Sequence, residues 1–190
     1  MTARPPLFIL RHGETEWNAA GRLQGHHDSP LTPAGQTQAA AQNAILSDQD
    51  LRGYCAISSP QARAYQTAVI ALDGLISPVL TDDALREIGL GDWAGQDRAS
   101  LMSQSGAADG FTLYELAPRA EGFERLHARC QAFLARLEQP AVLITHGITS
   151  RMLRLILTGQ PITALRDMPG GQGVVFRVEN AQQKRLTLGA

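Results

Sequence analysis

Four short apolar runs are spaced along the chain, and segments with helical features separate them. These runs cover residues 7–10, 54–58, 78–80 and 141–145. Short runs with few polar residues are typical of strands buried on both faces of a parallel sheet. Two further segments, 173–179 and 185–188, alternate weakly on either side of a turn-like sequence at 180–183. That pattern predicts an antiparallel hairpin at an edge of the sheet.

Helices are predicted between these runs. Thr32 followed by Pro33 has the residue types favoured at the N-cap and first position of a helix, which we expect to continue through the alanine-rich stretch to residue 46. Ser59-Pro60 repeats this pattern and predicts a second helix, to about residue 72. From Glu121 the apolar residues recur with a helical period, and a fourth helix is predicted over 148–157.

Strands that alternate with helices indicate an α/β fold. We therefore expect a three-layer α/β/α sandwich, with a mainly parallel central sheet, helices on both faces and an antiparallel edge. No composition break marks a linker, which predicts a single domain over residues 1–190. Residues 94–120 show little regular pattern, so we expect a loop-rich cap segment at about 91–120. Within it, residues 103–110 are expected to form a mobile loop with short helices on either side.

Composition narrows the possible partners. The formal net charge of −1 gives no overall field that favours nucleic acid or an anionic membrane. No stretch approaches the roughly 18 apolar residues of a membrane span, and the run after residue 6 is too short for a signal peptide. Cys55 and Cys130 form neither a disulfide framework nor a metal motif, so both are interpreted as small buried residues. A cytoplasmic protein is expected, and the oligomeric state stays undecided.

Two of the predicted strands end at a histidine and a glycine. Arg11-His12-Gly13 follows the first run, and His146-Gly147 follows the run at 141–145. Because the carboxyl ends of parallel strands meet at one edge of a sheet, we expect both imidazoles to lie at the same rim. Arg11 offers a planar fork suited to phosphate, and an imidazole serves as nucleophile, acid or base near neutral pH.

Arg63 adds to this predicted anion site. It falls in the first turn of the helix after the run at 54–58, where free backbone N–H groups and the helix dipole favour an anion. Two imidazoles and two guanidiniums around one pocket would hold a phosphoryl dianion and balance its charge. The pattern therefore predicts phosphate chemistry. Taken alone, Arg63 is better interpreted as a solvated charge at a helix end.

The motifs resemble the signature of the histidine phosphatase superfamily, the phosphoglycerate-mutase-like enzymes. The first of them is Leu10-Arg11-His12-Gly13-Glu14-Thr15-Glu16-Trp17-Asn18. The likeness continues in family order through residues 21–25, 28–32, 58–68, 85–88 and 145–147. The chain lacks room for the insertions of the bisphosphoglycerate-dependent mutases. It is similar to the phosphatase branch, which includes broad-specificity and α-ribazole phosphatases, although it has Ala94 and Ala120 where those relatives usually have glutamate and glycine.

The resemblance implies a role for each matching residue. His12 would attack phosphorus and become phosphohistidine, and Glu87 would give a proton to the leaving oxygen and then activate water. The phosphoryl oxygens would be bound by Arg11, Arg63 and His146, together with Gly147. Asn18 would line the same pocket, with Gln24 and Gly25 near the substrate's edge. The implied substrate is a small phosphorylated molecule, and no cofactor or metal is expected.

Other interpretations stay open at this point. Phosphoglycerate mutase activity uses the same pocket, and a non-catalytic module could bind a phosphorylated ligand there. The run His26-His27-Asp28 raises a metal-dependent alternative, but adjacent loop residues seldom chelate one ion, so a solvated loop is the preferred interpretation. Asp92 and Glu121 compete with Glu87 as proton donor. Asn18 and Gln24 could serve only to hold loop turns.

Overall fold

The strands of the computed structural model, which describes residues 4–189, form one mixed sheet. They are β1 (Leu7–Arg11), β2 (Cys55–Ser58), β3 (Val79–Thr81), β4 (Ala141–Thr145), β5 (Val175–Glu179) and β6 (Gln182–Leu186). Their order across the sheet is β3-β2-β4-β1-β5-β6. The first four are mutually parallel, whereas β5 and β6 are antiparallel to their neighbours. The predicted α/β class, mainly parallel sheet and antiparallel edge are confirmed.

Helices cover both faces of this sheet. They are α1 (Glu16–Ala19), α2 (Pro33–Ser47), α3 (Ala62–Ala71), α4 (Arg98–Ser105), α5 (Gly110–Leu116), α6 (Gly122–Ala135) and α7 (Gly147–Leu157). Short 3₁₀ turns occupy residues 83–85, 91–93 and 162–167. The described part of the chain, residues 4–189, includes no helix that is both long and apolar enough to cross a membrane. The signal-peptide prediction depends partly on residues 1–3, which lie outside the described residues.

The central strands are buried on both sides, and alternate residues serve two different hydrophobic clusters. Leu7 and Ile9 of β1 pack towards α6 and α7, whereas Phe8 and Leu10 pack towards α2 and α3. Strand β4 divides its side chains in the same way. This two-sided burial explains why both strands appear in the sequence as unbroken apolar runs.

Three predicted boundaries are wrong. The helix after Ser59-Pro60 begins at Ala62, and its N-cap, Gln61, makes no side-chain cap hydrogen bond. The second strand of the hairpin is 182–186 rather than 185–188, because Asn180 and Ala181 both have positive φ and form a tight two-residue turn.

The third boundary concerns the segment with little sequence pattern. Helix α4 continues to residue 105, so the predicted loop at 103–110 shrinks to the four residues between α4 and α5. The short helices expected on either side of that loop are present. Helix α1, inside the first motif, was not predicted, although Thr15 and Asn18 form the capping box that starts it.

Candidate active site

The parallel pairing of β1 with β4 places two histidines side by side. Arg11, the last residue of β1, is in register with Thr145, the last residue of β4. The next residue of each strand is therefore His12 and His146, and the centroids of their rings are 5.1 Å apart. Both rings are buried. The structure thus brings the two predicted imidazoles to one rim of the sheet.

The hydrogen bonds of His12 assign its tautomer. Its Nδ1 donates to the carbonyl oxygen of Gly13 at 2.7 Å, which leaves Nε2 with a free lone pair. Nε2 accepts a hydrogen bond from Nε of Arg63 at 3.3 Å. Burial, followed by the charges of Arg11 and Arg63, holds the pKa of His12 well below its ordinary value. His12 is therefore a neutral imidazole with an available nucleophilic nitrogen.

His146 is neutral for similar reasons. Burial, together with the charge of Arg63, lowers its pKa well below the ordinary value. Its Nε2 lies 2.8 Å from Oγ of Ser59, while its buried Nδ1 has no hydrogen-bond partner within residues 4–189. Buried polar atoms without a partner are rare, and this one lies at the rim that carries both histidines.

Arg11 and Arg63 differ in how they are held. The Nε atom of Arg11 is buried and has no partner among the described residues. Arg63 is almost fully buried, and its Nη1 donates to the carbonyl oxygen of His27 at 2.6 Å, while Nη2 donates to that of Gly25 at 2.9 Å. One guanidinium is therefore fixed by the protein, and the other keeps donors available for an anion.

Asp28 fixes both Arg63 and the helix that carries it. Its Oδ1 accepts from Nη1 of Arg63 at 2.7 Å, and its Oδ2 accepts from the backbone N–H of Ala62 at 2.9 Å. A loop carboxylate thus caps α3, whereas the Ser59-Pro60 pattern predicted that Ser59 would be the cap. Ser59 contacts His146 instead. Residues 26–28 are exposed, as expected for a solvated loop, and Asp28 additionally holds α3 and Arg63.

Glu87 lies in the same cavity, and its side chain contacts the start of α7. Its carboxylate oxygens accept from the backbone N–H groups of Ile148 at 3.2 Å and Thr149 at 3.1 Å. These are the free donors of a helix N-terminus, a position that favours an anion. The carbonyl oxygen of Glu87 accepts from Nε2 of His26 at 3.0 Å. The glutamate is consequently held by α7 on one side and by the 26–28 loop on the other.

A cavity of about 120 Å³ joins these groups. Of the predicted site residues, seven line it: Arg11, His12, Asn18, Gln24, Gly25, Arg63 and Glu87. His146 and Gly147 do not. His146 lies behind His12, and a Cβ built on Gly147 would be 3.4 Å from Nε of Arg11, which places that glycine beneath the guanidinium.

Comparison with known proteins agrees with this geometry. Residues 7–188 match the family described as the histidine phosphatase superfamily, branch 1. The chain belongs to the histidine phosphatase superfamily. The match spans nearly the whole chain, including both strand-terminal histidines, and it supports assignment of the protein as a phosphatase.

Individual relatives of this superfamily carry more than one activity in their names. A Yersinia pestis protein named "Probable phosphoglycerate mutase GpmB" is 34% identical over 195 aligned positions, which cover 96% of this chain and 88% of that protein. The structure of a mycobacterial glucosyl-3-phosphoglycerate phosphatase in complex with VO3 has a TM-score of 0.82 at 28% identity, and 99% and 100% of the two chains are covered. The α-ribazole phosphatase from Shigella flexneri has a TM-score of 0.80 at 26% identity, with 97% and 96% covered.

The two competing carboxylates are engaged elsewhere. Burial alone would raise the pKa of Glu121, but hydrogen bonds and charge from Arg129 bring it below the ordinary value. Asp92 pairs with Arg119 at the surface. Neither lines the cavity. Glu87 is therefore the carboxylate best placed to exchange a proton with a substrate of this histidine phosphatase.

The amides of Gln24 and Asn18 also hold the loops around the cavity. Nε2 of Gln24 donates to Oγ1 of Thr15 at 2.7 Å, and Oδ1 of Asn18 accepts from the backbone N–H of Thr15 at 3.3 Å. Oδ1 of Asn18 also accepts from Nε2 of Gln172 at 3.4 Å. The loop-holding role that the sequence left open for both residues is thus present alongside their place in the cavity wall.

Close backbone packing fixes the turn after His12. A Cβ on Gly13 would lie 2.2 Å from the carbonyl oxygen of Gly35, and a Cβ on Gly35 would lie 2.0 Å from that of Glu14. Only glycine allows these two backbones to approach so closely. The backbone N–H of Gly13 also donates to Oγ1 of Thr67 at 3.0 Å. The loop that follows His12 is therefore held against both α2 and α3.

Sequence reasoning missed two cavity residues in the 91–120 segment. Arg98, at the start of α4, and Tyr114, in α5, both line the cavity. Their segment shows no periodicity that would have pointed to a site. The described residues contain no group of three or more histidine, cysteine, aspartate or glutamate side chains that could hold a metal ion. His26 and Asp28 have the other partners given above.

Proposed function

We propose that this histidine phosphatase hydrolyses small phosphomonoesters without a metal ion, through a phosphohistidine at His12. The observation that carries the proposal is the state of His12, a buried neutral imidazole whose Nδ1 is bonded to Gly13 and whose Nε2 faces the cavity beside Arg63. Covalent catalysis by an imidazole needs an unprotonated nitrogen in this position. The cavity of about 120 Å³ is smaller than the roughly 300–1,000 Å³ of typical ligand sites, which favours a small substrate.

The first half-reaction transfers the phosphoryl group to the protein. Nε2 of His12 forms a bond to phosphorus while the bond from phosphorus to the ester oxygen breaks, and Glu87 gives its proton to the departing oxygen. Arg11, which has free donors, and Arg63 stabilise the charge on the equatorial oxygens. His146 does not line the cavity, so its Nε2 must leave Ser59 before it can bind one of these oxygens.

The second half-reaction restores the enzyme. Water attacks the phosphorus of phosphohistidine, and the Glu87 carboxylate takes the proton from that water. The bond between phosphorus and Nε2 breaks, inorganic phosphate leaves, and His12 is again neutral. Guanidiniums supply the positive charge in both steps, so the mechanism requires no divalent cation. Asn18, Gln24 and Gly25 shape the wall that positions the substrate.

Turnover of p-nitrophenyl phosphate in excess chelator tests the nucleophile and the metal independence together. We expect full activity with chelator, and a loss of about 10³-fold or more in His12→Ala. His127→Ala, in α6 outside the cavity, is the matched control and should retain activity. Rapid quenching with radiolabelled substrate should trap an acid-labile, base-stable phosphoprotein. Loss of activity on chelation, or wild-type turnover by His12→Ala, would refute the proposal.

The proton donor requires a separate comparison. Glu87→Gln should reduce kcat on an alkyl phosphate by about 10²-fold or more, because an alkoxide leaves poorly without a proton. The same variant should have a much smaller effect with p-nitrophenyl phosphate, whose phenolate is a good leaving group. Equal losses on both substrates would remove Glu87 from the acid role. Interconversion of 2- and 3-phosphoglycerate faster than phosphate release would instead establish a mutase.

A further inference from the structure

Two arginines line the cavity apart from the pair that flanks the nucleophile. The charges that act on His12 are those of Arg11 and Arg63. Arg22 and Arg98 lie on the opposite elements, the loop after α1 and the start of α4. The reaction proposed above uses neither of them.

The backbone brings Arg22 and Arg98 to one side of the cavity mouth. The backbone N–H of Arg98 donates to the carbonyl oxygen of Gly21 at 3.0 Å, and Arg22 forms a β-bridge with Asp97. Within residues 4–189 neither guanidinium lies within ion-pair distance of a carboxylate, and Oδ1 of Asp97 accepts from the backbone N–H of Ser100 at the start of α4. The charge of Arg22 acts on the Asp97 carboxylate, and Arg98 places a second positive charge in the same cavity wall, which favours an anion there.

Both residues are exposed, and each guanidinium also contacts other residues of the fold. Nε of Arg22 donates to the carbonyl oxygen of Gly95 at 3.1 Å, and its guanidinium lies over the ring of Trp17. The guanidinium of Arg98 lies 5.9 Å from the ring centroid of Tyr114 and against Gly110, where an added Cβ would be 1.8 Å from Nη2. Burial raises the pKa of Tyr114, so its hydroxyl remains a donor. The mouth is therefore preorganised for an acceptor group.

We infer that Arg98, with Arg22 and Tyr114, determines substrate specificity by binding a carboxylate on the alcohol part of the phosphomonoester. This inference rests on the proposed function. The planar fork of arginine matches a carboxylate with two parallel hydrogen bonds. Arg98 and Tyr114 line the same small cavity as Arg11 and His12, so a substrate whose phosphoryl group is held there presents its alcohol part to the same walls.

Matched substrates isolate the carboxylate. O-phosphoserine and phosphoethanolamine differ by that group alone, and 3-phosphoglycerate and glycerol 3-phosphate differ by a carboxylate against a hydroxymethyl. We expect the wild-type kcat/KM to favour the carboxylated member of each pair by about 10-fold or more, since only that member can form charge-assisted hydrogen bonds with the guanidinium. Ratios within about twofold in both pairs would overturn the inference.

Variants assign the preference to Arg98. Arg98→Gln should lower the ratio about 10-fold, and Arg98→Lys should restore only part of it because the fork is lost. Gly110→Ala keeps the charge but displaces the end of the Arg98 side chain, so it should lower the ratio as well. Arg52→Gln, an exposed arginine remote from the cavity, is the control and should leave the ratio unchanged. Equal losses on both members of a pair in Arg98→Gln would overturn the assignment.

A binding measurement tests this inference independently of the catalytic proposal. The same four compounds titrated calorimetrically into His12→Ala measure the preference without turnover. A preference for the carboxylated compounds that disappears in His12→Ala/Arg98→Gln supports the inference even where no compound is hydrolysed. A wild-type enzyme that hydrolyses p-nitrophenyl phosphate but binds the paired compounds equally refutes the inference alone.

Discussion

Removing the carboxylate of Asp28 should weaken both the fold and the site. In Asp28→Ala the N-terminus of α3 loses its cap, which costs roughly 1 kcal/mol. The buried guanidinium of Arg63 also loses its counter-ion. Breaking a fully buried ion pair by removing one partner costs about 3–5 kcal/mol. Here the cost is smaller, because the Asp28 side chain is 34% exposed and two backbone carbonyls still accept from Arg63.

Together these effects amount to about 3 kcal/mol of unfolding free energy, or about 6–12 °C in Tm for a chain of this size. Chemical denaturation and thermal unfolding measure the change. Asp28→Asn retains the acceptor without the charge and should fall between Asp28→Ala and wild type. Because Arg63 contacts Nε2 of His12, kcat should also drop, by about 10-fold or more.

Asp50→Ala provides the comparison. It breaks an ion pair with Arg52 in which both side chains are mostly exposed, so we expect no measurable change in stability. If Asp28→Ala is as stable and as active as Asp50→Ala, then Asp28 neither caps α3 nor orients Arg63, and the reasoning about this loop is wrong.

Three further predictions follow from buried groups. Gly35→Ala should reduce kcat at least about 10-fold and destabilise the protein by about 3 kcal/mol. The added Cβ would lie 2.0 Å from the carbonyl oxygen of Glu14, so α2 would have to move away from the loop that follows His12. Wild-type kinetics and Tm in this variant would contradict the prediction. The pKa values of His12 and His146 are lowered in the folded protein, so the unfolded chain binds more protons below about pH 6.5. The free energy of unfolding should therefore fall as the pH drops below that value, by up to about 1.4 kcal/mol per pH unit for each histidine. An equally steep dependence of the unfolding free energy on pH in His146→Gln would contradict this. Arg154→Lys should lower the free energy of unfolding, measured by denaturant titration, by about 2–3 kcal/mol. The buried guanidinium of Arg154 hydrogen-bonds to α7, to the loop after residue 168 and to β6, and lysine lacks the planar fork needed for all three contacts. An unchanged denaturation midpoint would show that Arg154 does not connect these elements.

The sequence predicted those parts of the site that depend on strand direction. Two apolar runs end at His12 and His146, and parallel neighbours present their ends at the same rim, so the pairing of the imidazoles followed from local pattern alone. Arg63 was placed by its distance from the end of β2. In each case a short-range signal sufficed because the sheet supplies the long-range geometry.

The remaining parts depend on contacts between distant segments. Ser59-Pro60 has the composition of a helix start, but Ser59 contacts His146 and the cap comes from Asp28, more than thirty residues away. No local rule predicts that exchange. Arg98 reaches the cavity only because α4 and α5 pack over it, and the periodicity of those short helices is too weak to reveal them in advance.

The two guanidiniums beside His12 have two effects in this cavity. The guanidiniums of Arg11 and Arg63 help to keep His12 unprotonated. In the proposed mechanism this preserves the lone pair that attacks phosphorus, and the same guanidiniums attract the phosphoryl dianion. A variant that removes either arginine should therefore weaken phosphate binding and raise the pKa of His12 at once. The helix N-terminus that could have held the phosphate is occupied by the Glu87 carboxylate instead. In the proposed mechanism the phosphoryl group is therefore recognised by side chains, and we expect activation of His12 and anion binding to be lost together.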